Sequence, residues 1–176
     1  MSNEEIWDLY DRNGNRTGET FIRGFYNFLE IPEGRFHLVV DILVKHTDGT
    51  YLLTKRDENK DVYPGFWEAS AGGSAVHGEE PLEAAMRELR EETGITADSM
   101  ELVNITYKEP RRSMFYSYIA TTSCPKDSVV LQEGETTDYK WVDAKGFLQY
   151  VDSDKAIVNH NLRYAEYIEE LRKNNS

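Results

Sequence analysis

The chain has 176 residues and a formal net charge of −12 at pH 7, with 39% hydrophobic and 30% charged residues. Its length is sufficient for one domain with a sizeable core and short for two ordinary domains. The acidic balance disfavours nonspecific nucleic-acid binding, because counterion release requires a basic surface.

The amino-terminal segment and the cysteine content indicate the cellular setting. Residues 1–5 lack the basic start and apolar run of a signal peptide, and no stretch reaches the ~18 apolar residues of a membrane span. Cys124 is the single cysteine, which excludes an intramolecular disulfide and favours a buried or inert thiol. We therefore expect a cytoplasmic protein with neither a nucleic-acid nor a membrane partner.

The first third of the chain predicts two hairpins. Residues 7–10 and the Asn13-Gly14 turn predict an N-terminal hairpin over about residues 5–20. Residues 37–46, the Asp48-Gly49 turn and residues 51–56 predict the second hairpin. Residues 66–70 then have the composition of a further strand.

A helix is predicted directly after this strand. Pro81 suits a first helical turn, Glu79 and Glu80 suit the positive end of the helix dipole, and Gly94 ends the helix. Four apolar residues recur at helical spacing and predict a buried stripe: Leu82, Ala85, Met86 and Leu89.

The second half of the chain predicts three strands and two helices. The strands cover residues 102–107, 114–120 and 139–142, and the helices cover residues 144–150 and about 154–173. The apolar face of the last helix should dock on its own domain or on a second subunit, so a monomer or a homodimer is expected. Mixed strands with separate helices predict an α+β fold, with residues 1–176 as one domain.

Three glutamates of the central helix indicate a metal site. Glu88, Glu91 and Glu92 stand at i, i+3 and i+4, so their carboxylates share one face. Like charges at this spacing destabilise an isolated helix, and oxygen ligands alone favour Mg²⁺ or Mn²⁺ over Zn²⁺. The alternative is a solvated face with Glu83–Arg87 and Arg87–Glu91 ion pairs.

Residues 73–95 fill every specified position of a known motif: Gly73, five residues, Glu79, seven residues, Arg87-Glu88-Leu89, one residue, Glu91-Glu92, one residue, Gly94-Ile95. In this motif the chain resembles the Nudix hydrolases. The resemblance implies a Nudix fold, a mixed β-sheet sandwich flanked by α-helices, with its core over about residues 36–150. It also implies a metal-dependent hydrolase that cleaves the diphosphate linkage of a nucleoside diphosphate joined to another moiety X, a small-molecule substrate.

The resemblance further implies roles for particular residues. The metal ligands would be the Gly72 carbonyl, Glu88, Glu91, Glu92 and Glu135. One of the glutamates would take the proton of the attacking water, and Arg87 would orient Glu91. For the glycines a plain turn is the alternative, and for Glu135 an exposed loop acid.

Further side chains are candidates for contact with substrate phosphates or a base, with surface charge and core packing as alternatives. The cationic candidates are Lys55, Arg56, Arg111 and Arg112, and the aromatic candidates are Tyr63, Phe66, Trp67 and Phe115.

Residues 37–142 also look like isopentenyl diphosphate isomerase, a Nudix relative. In that comparison the isomerase's catalytic cysteine falls at Gly72, a histidine at Ser74, and of its metal-binding histidines only His37 has a counterpart. Cys124 lies beyond the strand over residues 114–120 and cannot replace the missing thiol. We therefore predict a hydrolase of an isomerase-like subgroup, with an isomerase or a non-catalytic nucleotide-sensing module as alternatives, and treat His37 as a structural strand residue rather than a ligand.

Overall fold

A computed structural model describes residues 4–24 and 28–176. Within these ranges the strands are β1 (Ile6–Tyr10), β2 (Arg16–Ile22), β3 (Phe36–His46), β4 (Tyr51–Arg56), β5 (Trp67–Ala69), β6 (Ala71–Ser74), β7 (Ser99–Lys108), β8 (Ser113–Thr122) and β9 (Thr136–Val142). The helices are α1 (Pro81–Thr93), α2 (Ala144–Val151), α3 (Val158–Arg163) and α4 (Ala165–Asn174), and a short 3-10 helix covers Glu109–Arg111. None of the described helices is long and apolar enough to cross a membrane.

Strand β3 is the centre of the sheet. It pairs in parallel with β8 along its whole length and antiparallel with β1, β4 and β6. Eight of its eleven residues are buried, as expected for a strand covered on both faces. Both predicted hairpins are confirmed, since β1 pairs with β2 and β3 with β4.

The two faces of the sheet are covered by different helices. Helix α1 packs with Leu38, Val40 and Ile42 of β3, whereas the alternate residue Leu43 packs with Phe147 of α2 and Ile168 of α4. This arrangement confirms the predicted α+β sandwich with flanking helices.

The predicted buried stripe of α1 is wrong at two positions. Leu82 and Met86 are 45% and 41% exposed, while Ala84, Ala85 and Leu89 are buried. The helix turns its small side chains toward the sheet and packs beside the glycine-containing β6. Close approach to a glycine strand therefore decides which face is buried.

The single C-terminal helix predicted over residues 154–173 is also corrected. It begins at Val158 and is divided into α3 and α4 at Tyr164, whose backbone angles (φ −107°, ψ 17°) leave the helical region. Tyr164 and Ile168 nevertheless pack into the domain's own core, so the predicted docking face is present. The division allows α3 to contact β7 and α4 to contact α2.

Candidate active site

Gly72 and Gly73 lie in strand β6, not in a turn. They are paired with Asp41 and Val40 of β3. A Cβ atom added to Gly73 would lie 2.3 Å from the carboxyl carbon of Glu88, and one added to Gly72 would lie 2.9 Å from the Val40 carbonyl oxygen. Glycine is required at both positions because the helix and the neighbouring strand approach the backbone so closely.

Arg87 connects the start of the motif with its end. Its Nε and Nη2 donate to the two carboxylate oxygens of Glu79 at 2.7 and 3.0 Å. Its Nη1 donates to Glu88 at 2.8 Å and to Glu91 at 3.2 Å, and Nη2 also donates to the Ser74 carbonyl at 3.1 Å. These bonds raise the pKa of Arg87 above its ordinary value, the Glu79 bond most of all. Arg87 thus contacts Glu91, the carboxylate that it is expected to orient, and also holds Glu88 and β6.

The glutamates of α1 differ in their surroundings. The side chain of Glu91 is 47% exposed, that of Glu88 is 13% exposed, and Glu92 is buried. Burial raises the pKa of Glu92 well above its ordinary value, and the negative charges of Glu68, Glu88 and Glu135 raise it further. Burial also raises the pKa of Glu88. The alternative of a solvated face therefore describes Glu91 alone.

Glu68 of β5 is an acid of this site that the sequence did not indicate. It is buried and accepts two hydrogen bonds from Nη1 of Arg56, at 3.2 and 3.1 Å. Burial raises its pKa to about 7 in spite of this partner. Its signal in the sequence is weak, since only the pairing of β4 with β5 brings Arg56 to Glu68.

Glu135 faces the same carboxylates from the segment before β9 and forms an ion pair with Lys60. Within the two described ranges, no group of three or more His, Cys, Asp or Glu side chains is arranged to hold a metal ion as it stands. The predicted ligands are bound to Arg87, to Lys60 and, for Glu92, to the Gly72 N–H at 3.4 Å. The donor set still suits a hard cation, because it consists of oxygen atoms and carries mutually repelling charges.

Glu68, Glu135, the three candidate ligands of α1 and the two glycines of β6 line one cavity of about 780 Å³. The predicted site residues on its wall are Gly72, Arg87, Glu88, Glu91, Glu92, Glu135, Arg56 and Arg111, together with Tyr63 and Phe115. Lys55 and Trp67 lie outside this wall: Lys55 pairs with Glu58, and the ammonium of Lys140 lies 4.2 Å from the centre of the Trp67 ring. Phe66 and Arg112 are outside it as well.

His37 is also outside the cavity. It is buried, its ring stacks on Trp7 with 4.2 Å between ring centres, and Nδ1 lies 3.0 Å from the Arg112 carbonyl oxygen. Burial lowers its pKa to about 4. These contacts agree with a structural role.

Four cations on the cavity wall were not predicted: Arg23, Lys60, Lys108 and Arg163. Arg163 of α3 donates to Asp41 of β3 at 2.8 Å, and its guanidinium carbon lies 3.6 Å from the centre of the Phe115 ring. No local motif marks these positions, because they come from separate segments of the chain.

The fold and the carboxylate-lined cavity define a class of enzyme, the hydrolases that carry this glutamate helix. A model of the NUDIX domain matches residues 35–162, which is well over half of the chain. The chain belongs to the Nudix hydrolase family.

Individual relatives agree with this family. A Nudix hydrolase of Listeria monocytogenes is 34% identical over 139 residues, which are 78% of this chain and 79% of the relative. The isopentenyl-diphosphate Delta-isomerase of Corynebacterium diphtheriae is 30% identical over 168 residues, which are 87% of this chain and 86% of the relative. The crystal structure of DR0079 from Deinococcus radiodurans shares the fold, with a TM-score of 0.63 at 19% identity over 96% of this chain and 98% of that one.

Proposed function

We propose that this protein is a Mg²⁺- or Mn²⁺-dependent pyrophosphohydrolase that cleaves the diphosphate linkage of a nucleoside diphosphate joined to a moiety X. The observation that carries this proposal is the convergence of Glu88, Glu92, Glu68 and Glu135 on one cavity beside Gly72 and Gly73. Buried carboxylates that repel one another need a cation to meet them, and a diphosphate substrate needs a cation to neutralise it.

In this proposal Glu88, Glu91, Glu92, Glu135 and the Gly72 carbonyl would hold the cation. When bound, the cation would neutralise the diphosphate and lower the pKa of a water molecule that attacks phosphorus. The carboxylates would exchange their present bonds to Arg87 and Lys60 for bonds to the cation.

The chain's own side chains then supply orientation and proton transfer. Arg87, held by both oxygens of Glu79, keeps Glu88 and Glu91 turned toward the cavity. One of the α1 glutamates Glu88, Glu91 and Glu92, or Glu135, accepts the proton of the water. Arg56 meets phosphate oxygens of the diphosphate, for which a guanidinium offers paired donors, and Arg111 contacts the substrate at another part of the cavity wall.

The second candidate is isomerisation, because an isopentenyl-diphosphate isomerase is among the relatives. Isomerisation of an alkene requires a proton donor at one face of the double bond. Gly72 and Ser74 occupy the positions of the isomerase's cysteine and histidine, and neither donates a proton near neutral pH. Cys124 packs beside the core and does not line the cavity. We therefore favour hydrolysis.

The test is a panel of nucleoside di- and triphosphates, nucleotide sugars, dinucleotides and prenyl diphosphates, with products identified by mass. Hydrolysis adds the mass of water, whereas isomerisation leaves the mass unchanged. Activity should disappear in EDTA and return with Mg²⁺ or Mn²⁺. Full activity in metal-free buffer would disprove the cation's role. Dimethylallyl diphosphate formed from isopentenyl diphosphate by both the parent protein and Cys124→Ala would establish the isomerase instead.

We also propose a cytoplasmic location, in agreement with the single cysteine and the acidic composition. The C-terminal helices cover their own domain, which supports a monomer or a homodimer formed through another surface.

A further inference from the structure

The cations of the cavity wall are almost all paired with acids of the same wall. Arg23 pairs with Glu5, Arg56 with Glu68, Lys60 with Glu135, Arg87 with Glu88 and Arg163 with Asp41. Among the described residues, Lys108 and Arg111 form no ion pair and donate no side-chain hydrogen bond. Two unpaired cations facing a cavity are unexpected in a chain with a net charge of −12.

Lys108 and Arg111 belong to one group with Arg163. Lys108 ends β7, Arg111 ends the short 3-10 helix that follows, and Arg163 ends α3. The three side chains line the same cavity, and burial together with the positive charges of Arg111 and Arg163 lowers the pKa of Lys108. An anion bound among the three cations would offset their mutual repulsion.

Arg163 is the ordered member of the group. Its side chain is 11% exposed, with Asp41 at one edge and the Phe115 ring at one face. The hydrogen bond to Asp41 uses one of its five N–H groups. A guanidinium fixed in this way presents its remaining donors at low conformational cost.

Lys108 and Arg111 lie across the cavity from Gly72 and Gly73, whereas Arg163 lies between the two sides, over Phe115 and beside Asp41. At the level of Val39 the sheet runs from Ser74 of β6 through β3 and Phe115 of β8 to Thr106 of β7. Three strand spacings of about 4.8 Å separate β6 from β7, or roughly 14 Å. An anion held by Lys108 and Arg111 is therefore separate from the diphosphate beside the glutamates, and Arg163 contacts it from the side nearer the diphosphate.

We propose that Lys108, Arg111 and Arg163 form a second anion subsite, which binds a phosphate monoester carried on an organic part of the substrate. The proposal rests on the proposed function for the position of the scissile diphosphate. A phosphate monoester is favoured over a carboxylate because it carries nearly two charges and three acceptor oxygens. The substrate would then be a diphosphate with an additional phosphate, bound along the floor formed by Val39 and Phe115.

The first test requires neither turnover nor a particular substrate. Inorganic phosphate is titrated into the full-length protein in EDTA, and the backbone amide resonances of residues 108, 109, 111, 112 and 163 are followed by NMR. We expect saturable shifts there, which are lost in the Lys108→Ala/Arg111→Ala double variant. Both residues are partly or fully exposed, so the variant should fold. The control removes two exposed lysines outside the cavity, Lys145→Ala/Lys173→Ala, and should retain the shifts. Absence of saturable shifts, or equal shifts in both double variants, would overturn the subsite.

The second test asks whether the substrate uses the subsite. NADPH and NADH differ by one phosphate monoester, as do coenzyme A and dephospho-coenzyme A, and all four contain a diphosphate. We expect kcat/KM to favour the phosphorylated member of at least one pair. The ratio of kcat/KM for the phosphorylated member to kcat/KM for the other member should fall by about 10- to 100-fold in Lys108→Ala/Arg111→Ala. This is the range for loss of charge-assisted hydrogen bonds. The Lys145→Ala/Lys173→Ala control should leave the ratio unchanged.

The two tests separate failure of the subsite from failure of the proposed function. Phosphate binding without hydrolysis of any diphosphate would disprove the hydrolase and leave an anion site. Hydrolysis with equal ratios in both double variants would disprove the role of the cations in substrate choice and leave the hydrolase.

Discussion

Helix α1 and the C-terminal helices α3 and α4 contribute to the site in different ways. Helix α1 turns Glu88 and Glu92 inward beside Ala85 and Leu89, so charged groups occupy part of its buried face. The C-terminal pair buries apolar side chains, and only the end of α3 contributes a cation to the cavity. Because a buried carboxylate costs free energy unless a cation meets it, α1 carries the proposed cation ligands at the expense of stability. The C-terminal helices contribute mainly to stability, because the side chains that they bury are apolar.

The largest effect that distinguishes the two regions should come from Glu92→Gln. Loss of a charged cation ligand should lower kcat by at least about 10³-fold, which is about 4 kcal/mol of activation free energy. In EDTA the melting temperature should stay the same or rise, since the change removes a buried like charge. Enzyme assays and thermal unfolding of the same preparation measure both quantities.

The control for this substitution is Glu83→Gln on the exposed side of α1, outside the cavity, which should change neither activity nor stability. A large drop in melting temperature for Glu92→Gln would contradict the proposed difference between α1 and the C-terminal helices. It would show that folding also depends on this side chain of α1.

Tyr164→Ala should have the reverse pattern. Tyr164 is 3% exposed in the core beneath the C-terminal helices and does not line the cavity. Its truncation should lower the free energy of unfolding by about 4 kcal/mol, as for other buried aromatic residues. Urea unfolding measures this loss, and kcat per folded molecule should be unchanged.

The matched variant Tyr164→Phe retains the ring and loses the hydroxyl, which lies 3.3 Å from the Tyr118 carbonyl oxygen. It should cost about 1 kcal/mol or less. An equal loss in the two variants would mean that the hydroxyl, and not apolar packing, holds the C-terminal helices.

Gly73→Ala tests whether activity depends on the close approach of the β6 backbone to Glu88 of α1. The new Cβ would meet the carboxyl group of Glu88 at 2.3 to 2.5 Å, so Glu88 must move away from the strand. We expect kcat/KM to fall by about 100-fold, or about 2.7 kcal/mol. Gly146→Ala in α2 is the control, because its added Cβ meets no atom closer than 3.2 Å. Full activity of Gly73→Ala would show that the position of Glu88 is not critical.

The same division explains what the sequence could predict. Glu88, Glu91, Glu92 and Arg87 all lie on α1, where helical spacing alone fixes their relative positions, and Gly73 belongs to the same local motif over residues 73–95. The cations of the proposed second subsite are residues 108, 111 and 163, which only the pairing of β3 with β8 and the return of α3 bring together. Long-range pairing of this kind has no local signal.

Two errors in the fold have related causes. The apolar pattern of α1 shows which positions are hydrophobic, but the sheet meets the alanine side, where helix and glycine strand approach most closely. The apolar period of the last segment continues through Tyr164, and therefore did not indicate the break between α3 and α4. By contrast, the hairpin turns at Asn13-Gly14 and Asp48-Gly49 were predictable because glycine permits the positive φ angles found at Gly14 and Gly49.

The last and smallest quantity to be measured is the coupling free energy across the contact that joins the two regions. Asp41 of β3 and Arg163 of α3 form an ion pair whose side chains are 12% and 11% exposed. Arg163→Met retains apolar contact with Phe115 but leaves the carboxylate buried without its partner, so it should cost about 3 kcal/mol of stability.

In the Asp41→Asn/Arg163→Met double variant no such charge remains, and a double-mutant cycle in urea should give a coupling of about 2 kcal/mol. The exposed pair Asp152–Arg172, which ties α4 to the end of α2, is the control and should give less than about 1 kcal/mol. Equal coupling free energies in the two pairs would contradict the claim that burial strengthens the Asp41–Arg163 ion pair. Because Asp41 faces both α3 and the paired Gly72 of β6, a strong coupling would mean that the stability supplied by the C-terminal helices also fixes the strand beneath the glutamates.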